Sequence, residues 1–233
     1  MISTKWFDVS VRVKPREFLQ LMRNQTYDRA RSAGFDLSYA REGIINGRFI
    51  EEVRTTTTYT SPLGEEITNQ LVTHKIVVFS FFHQAGAQWL LRIDGNPRSL
   101  KSFARCLSDM LDFGFSISSI TTPAMDVLRY FLEHGMSVIK VSSIFAANLP
   151  LNKGGLAKLE VRATSGGDAL AASAMAFPKI QEVIERMTVQ VEYDSQPIDL
   201  TISRNAGFTF DEEYEDTVAE LYMNYLNTRL NAK

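Results

Sequence analysis

Cysteine is almost missing from this 233-residue chain, where Cys106 stands alone. A lone thiol excludes a disulfide within the chain and a zinc site built from cysteines. Long apolar runs are missing too. Arg or Asp interrupts every hydrophobic stretch before it reaches the roughly 20 residues a membrane-spanning helix needs. The opening MISTKWFDVSVRV holds Lys5, Asp8 and Arg12 and lacks the apolar core of a signal peptide. A cytoplasmic protein without membrane attachment is therefore expected.

Charge of one sign is also scarce. The formal net charge is −2 at pH 7, which gives no general attraction to nucleic acid or anionic membranes and leaves such binding to a local patch. Phosphate-binding signatures are absent: neither Gly154-Gly155 nor Gly166-Gly167 precedes Lys-Ser/Thr, and no G-x-G-x-x-G occurs. Both glycine pairs read as turns needing positive φ. His74, His83 and His134 lie far apart, and no G-x-S-x-G elbow accompanies them. No catalytic residue, metal or cofactor is assigned.

What is present is core material, 45% hydrophobic and 11% aromatic, enough for a globular interior. It concentrates in residues 70–113. Ile76, Val77, Val78, Phe79, Phe81 and Phe82 are nearly continuous, which predicts a strand covered on both faces. Ala85-Gly86-Ala87 reverses the chain, residues 89–93 return as a second strand, and Asp94-Gly95-Asn96-Pro97 stops it. Ser99 is placed to cap a helix. Leu100, Phe103, Ala104, Leu107 and Leu111 share one face of that helix, with Arg98, Lys101, Arg105 and Asp109 opposite. Cys106 falls on the apolar side, the setting of a small buried hydrophobe rather than a nucleophile.

Elsewhere, Trp6, Asp8, Ser10 and Arg12 alternate with Phe7, Val9, Val11 and Val13, a half-buried strand with the second set inward. Pro15 opens a helix predicted to reach about residue 33, burying Phe18, Leu19, Met22, Ala30 and Ala33, with Gly34 closing it. Residues 48–59 read as a strand whose Thr55, Thr56, Thr57 and Thr58 form a solvated face, and Ser61-Pro62-Leu63-Gly64 as a turn. A helix over 124–134 ends at Gly135. Strands over 136–146 and 159–164 flank a loop at Asn152-Lys153-Gly154-Gly155. A helix over 169–187 is kinked or split by Pro178.

Strands over 188–193 and 198–203 meet at a hairpin turn, Asp194-Ser195-Gln196-Pro197. Thr209 and Glu212 have capping-box spacing for a last helix to about residue 230. The class is α+β: mainly antiparallel sheet with amphipathic helices packed on one face. It reads as a single unit over 1–233 with two similar lobes dividing near 115–123.

Two surfaces and one set of scattered groups are candidates for function. Arg16, Gln20, Arg23, Tyr27 and Arg31 fall at helical spacing and form a basic stripe with one aromatic, suited to phosphates and a stacked base. Arg12, Arg41 and Arg48 extend it. On the last helix, Tyr214, Tyr222 and Tyr225 share a stripe that is either core or a protein-contact face. Glu51 and Glu52 are adjacent on a strand and point to opposite sides. Glu160 and Arg162 are neighbours on one strand face; Arg162 stands where a metal-dependent nuclease would need Lys.

The leading expectation is a non-catalytic binding subunit of a larger protein assembly, with a protein partner or self-association. The second is a nucleic-acid-binding protein using the basic first helix. The third is a hydrolase or nuclease assembled from distant groups such as His83, Asp94 and Glu160.

Overall fold

The computed structural model describes residues 1–28, 30–150, 154–177 and 180–231. The expected turn at Asn152-Lys153 and the kink at Pro178 lie outside them. The chain divides into two compact units, Phe7–Ser118 and Met1–Trp6 with Ser119–Lys233. Both are α+β, with antiparallel strands and helices beside them.

The Phe7–Ser118 unit takes the second half of β1 (Ile2–Val11), then α1 (Pro15–Asn24). A four-strand meander follows: β2 (Ala33–Arg41), β3 (Ile44–Thr60), β4 (Glu66–Ala85) and β5 (Gln88–Asp94). It closes with α2 (Lys101–Met110) and β6 (Phe115–Ser119). The strand order is β2-β3-β4-β5-β1, with β6 also beside β1.

The first helix is shorter than its pattern predicts, ending at Asn24 rather than near residue 33. Local polar groups offer the backbone an alternative there. Thr26 Oγ1 donates to Arg23 O at 2.6 Å, and an Asp28 carboxylate oxygen accepts from the amides of Ala30 (2.8 Å) and Arg31 (3.0 Å). The chain then runs beside β2, where Phe35 N donates to Gln25 O and Tyr27 N to Phe35 O. Gly34 is therefore not a helix-closing residue. A Cβ there would lie 2.6 Å from Tyr27 Cα, so the close approach of two backbones demands glycine. Ala30 is exposed and Ala33 opens β2, so neither belongs to a helix face.

The core of this unit is aromatic. Phe103 of α2 meets Phe35, Phe49, Phe79 and Phe81 at ring separations of 5.4 to 6.4 Å. Phe18 of α1 meets Phe81 and Trp89, each at 5.2 Å. Val77, Phe79 and Phe81 point into this cluster. Ile76 and Val78 instead remain half exposed, so β4 is not covered on both faces along its whole apolar run. Among the described residues, Phe18 of α1 and Phe103 of α2 pack on one face there, and Ile76 and Val78 leave the other partly in solvent. Ser99 Oγ accepts from Lys101 N at 3.2 Å while Leu100 takes the N-cap position, so the expected helix starts one turn residue later.

The second unit takes the first half of β1, then α3 (Ala124–Glu133), β7 (Ser137–Pro150), β8 (Leu156–Arg162) and α4 (Ala169–Ala176). It continues through β9 (Ile184–Tyr193), β10 (Gln196–Ser203), β11 (Gly207–Phe210) and α5 (Glu215–Asn231). The order is β1-β11-β10-β9-β7-β8. Gly135 closes α3 with φ +97°, and Met136 N reaches back to Phe131 O at 3.1 Å. Asp194 and Ser195, at φ 50° and 62°, make the two-residue turn between β9 and β10.

Three expectations fail in this unit. Residues 184–187 are the start of β9 rather than helix, because pairing with β10 extends to Arg186↔Ser203. Thr209 lies inside β11 with its hydroxyl 3.0 Å from that of Ser3, so it caps nothing. Trp6 is buried, packed edge-on to Tyr222 at 5.8 Å, although alternation put it on the outer face. The strand changes its inward face between Trp6 and Phe7, both of which are buried.

Phe103→Ala removes the ring that four other phenylalanines touch. It is expected to destabilise the protein by about 3–5 kcal/mol, read from denaturant midpoints followed by circular dichroism.

Candidate functional site

The longest ladder in the molecule joins β3 to β4, with register running from Ile44↔Phe82 to Thr60↔Glu66 and no bulge. Its flanking strands are shorter. β2 stops at Ala33↔Glu51, and β5 begins only at Val78↔Asp94. Past those points β3 and β4 have only each other as strand neighbours among the described residues. The outer half is thus a two-stranded arm made of residues 53–60 and 66–73, its base held where Glu52 N donates to Ser32 O at 2.7 Å.

Its tip is well ordered by hydrogen bonds. Ser61 N donates to Glu65 O (2.7 Å), Gly64 N to Ser61 O (2.9 Å), and the Ser61 hydroxyl accepts from Leu63 N and Glu65 N (3.2 Å each). Thr58 and Thr68 hydroxyls meet across the ribbon at 3.2 Å. The arm carries exposed apolar side chains: Leu63 at 86%, Leu71 at 63%, Val72 and Tyr59 at 49%. The threonine run is solvated as expected, but it is part of this free ribbon.

The basic stripe does not survive as a single helix face. Arg16, Gln20 and Arg23 are exposed on α1, whereas Tyr27 and Arg31 follow the end of the helix. The Tyr27 hydroxyl lies 3.0 Å from His74 Nε2, and Arg31 Nη1 donates to Asn24 O (2.8 Å) and Gln25 Oε1 (3.1 Å). Gln20 bonds Asn24 at 3.2 Å, and Arg48 is paired with Asp36.

The tyrosines of α5 divide. Tyr222 is 1% exposed and Tyr225 7% exposed, so they are core and present no face to a partner. Tyr222 Oη lies 3.2 Å from Thr122 Oγ1, and Tyr225 accepts from Arg229 Nη1 at 2.8 Å. Tyr214 sits in the turn before the helix and is partly exposed. The stripe was legible, but which face the helix buries depended on Trp6 and Phe208, remote in sequence.

Of the scattered groups, His83 and Asp94 lie in the Phe7–Ser118 unit, at opposite ends of one strand pair. His83 packs on Trp89 at 4.9 Å with Nε2 3.1 Å from Gly86 O, near one end of the β4–β5 pairing. Asp94 is at the other end, ion-paired with Arg92 at 2.5 Å. Glu160 belongs to the second unit and pairs with Arg162 at 2.8 Å on the same strand face. Glu51 and Glu52 face opposite sides, toward Lys75 and Arg54 respectively. His134 bonds Tyr130 O at 2.7 Å. Cys106 is half buried rather than fully buried, beside a cleft of about 390 Å³ that it shares with Phe49, Glu51, Arg105 and Asp109. Burial, with Asp109 nearby, pushes its thiol up and disfavours the thiolate.

Among the described residues no group of three or more His, Cys, Asp or Glu is arranged to hold a metal ion. No described helix is long and apolar enough to cross a membrane. No family model matches the chain, and no curated protein matches it. One solved structure with some likeness is that of DynU16, from the dynemicin biosynthetic locus. It is 10% identical, covers 96% of this chain and 95% of its own, and superposes with a TM-score of 0.17. An overlap that low carries no argument.

Burial raises the Tyr222 hydroxyl well above its ordinary value of 10.0, with the Thr122 bond opposing the shift, and Tyr225 is raised likewise. The unfolded chain ionises first, so this contribution to stability is whole below about pH 10 and falls as pH rises past it. Denaturant midpoints measured from pH 8 to 11 are expected to drop steeply at the alkaline end. Tyr222→Phe is expected to flatten that drop, while losing about 1 kcal/mol at neutral pH with the Thr122 bond.

Proposed function

We propose that this chain is a non-catalytic binding subunit of a larger protein assembly, and that the β3–β4 arm is its contact surface. The observation that carries this reading is the free ribbon itself. A two-stranded ribbon alone in water is marginally stable, yet here it extends past both neighbouring strands with regular register and a closed tip. Exposed backbone edges and apolar side chains such as Leu71 and Val72 are what strand-addition contacts use: main-chain bonds give affinity and alternate side chains give selectivity.

The nucleic-acid reading has less support. It keeps Arg16, Gln20 and Arg23 on one surface, with Tyr27 and Arg31 engaged elsewhere in the chain. Net charge of −2 adds no long-range attraction.

Replacing residues 57–69 by Asn-Gly joins the paired residues Thr56 and Gln70 through a two-residue hairpin turn. Thermal unfolding is expected to stay close to that of the parent, because the removed residues lie outside the core. The full chain, tagged in its source cells, is expected to elute on gel filtration as a complex larger than its dimer. The shortened chain is expected to elute free. Equal elution of the two overturns the assignment of the arm.

A further inference from the structure

We infer that the free edge of β4 pairs antiparallel with the same edge of a second copy of this chain, about a two-fold axis at Gln70. The inference rests on the reading of the arm as a contact surface and names its occupant. From Ile67 to His74 the edge has no Asp, Glu, Lys, Arg or Pro, and its ladder to β3 has no bulge. Other edges are guarded in the ways that usually discourage pairing. β2 bulges between Leu37 and Tyr39, β8 sets Lys158, Glu160 and Arg162 in alternation, and β3 beyond Glu51 carries Arg54.

Symmetry restricts the register. Two copies of one strand, related by an axis normal to the sheet, keep facing residues on the same side, so paired residue numbers sum to an even value. With Gln70 on the axis, Glu65 faces Lys75, Glu66 faces His74, Thr68 faces Val72 and Asn69 faces Leu71. A carboxylate thus meets an ammonium at each end. Lys75 is available for it, since its side chain is 66% exposed and its contact with Glu51 is a loose 3.9 Å.

The same register lays Gly64 and Leu63 of the partner turn beside Ile76 and Val77, and Pro62 and Ser61 bend back toward the partner's own β3. At Ile76 and Val77 the edge is still open, short of β5 at Val78. Moving the axis to Leu71 drives the turn into the space of β5 and separates Glu65 from Lys75. Moving it to Asn69 shortens the ladder and loses the same pair. Charge and space select one alignment.

The test uses the full chain. Light scattering is expected to give a mass that rises with concentration toward twice the 26.3 kDa of one copy. In a Cys106→Ala background, Gln70→Cys is expected to form a disulfide-linked dimer in high yield under mild oxidation. Facing residues on an axis have Cβ atoms about 4.5–5.5 Å apart, close to disulfide reach. Thr56→Cys, on the far strand of the ribbon, is expected to stay monomeric on denaturing gels.

Lys75→Glu is expected to weaken the dimer roughly tenfold, because it sets like charges opposite each other twice. Adding Glu65→Lys is expected to restore it. Circular dichroism checks that each variant is folded. A wild-type chain that stays monomeric at its highest soluble concentration overturns the pairing. So does a dimer that neither links through position 70 nor responds to Lys75→Glu. If either occurs while the arm-dependent native complex persists, the pairing fails and the binding role stands.

Discussion

The uninterrupted register between β3 and β4 is the constraint on which the Phe7–Ser118 unit depends. All 17 residues of β3 have a partner in sequence on β4. A slip of β4 by one residue against β3 would turn Val77, Phe79 and Phe81 to the face opposite Phe49 and Ile45, since side chains alternate with a period of two. The aromatic cluster under α1 and α2 therefore anchors one end of a ladder whose other end has no core of its own. Order at the tip is inherited from the base. Thr58, Thr68 and the Ser61 hydroxyl add local bonds, but none buries enough surface to hold a ribbon alone.

Much of this was legible from residue pattern. The hairpin and helix of residues 70–113, the turn at Ser61-Pro62-Leu63-Gly64, the stop at Gly135 and the β9–β10 turn all follow from local chemistry. The misses share a cause: a distant partner overruled a local period. The α1 pattern ran on past Asn24 because Ala30 and Ala33 kept the spacing, while the Asp28 side chain and the edge of β2 claimed the backbone. Trp6 looked outward until Tyr222 covered it. Residues 184–187 follow a helix-like alanine run but open β9, where Ile184 pairs with Ala146 of β7 and Arg186 and Met187 pair with β10.

The site was harder to read than the fold for the same reason. Alternating residues in β3 and β4 identify strands and their turn, yet they do not say where β2 and β5 stop beside them. The freedom of the arm is the difference between strand lengths, and each length is set elsewhere. Gly34 and the chain at Gln25 to Tyr27 set the limit of β2. Asp94 and the Gly95 turn set that of β5. The tyrosines of α5 teach the converse: spacing identified a stripe, and burial rather than composition decided its role.

The placing of the two tryptophans has a practical consequence. Trp6 lies against Tyr222 in one compact unit, and Trp89 against Phe18 and His83 in the other. The chain contains no others. Its intrinsic fluorescence is thus the sum of two local reporters, each enclosed by a different core. A single-tryptophan variant would follow the melting of one unit without labelling, and comparing both would reveal whether the units unfold in one cooperative step.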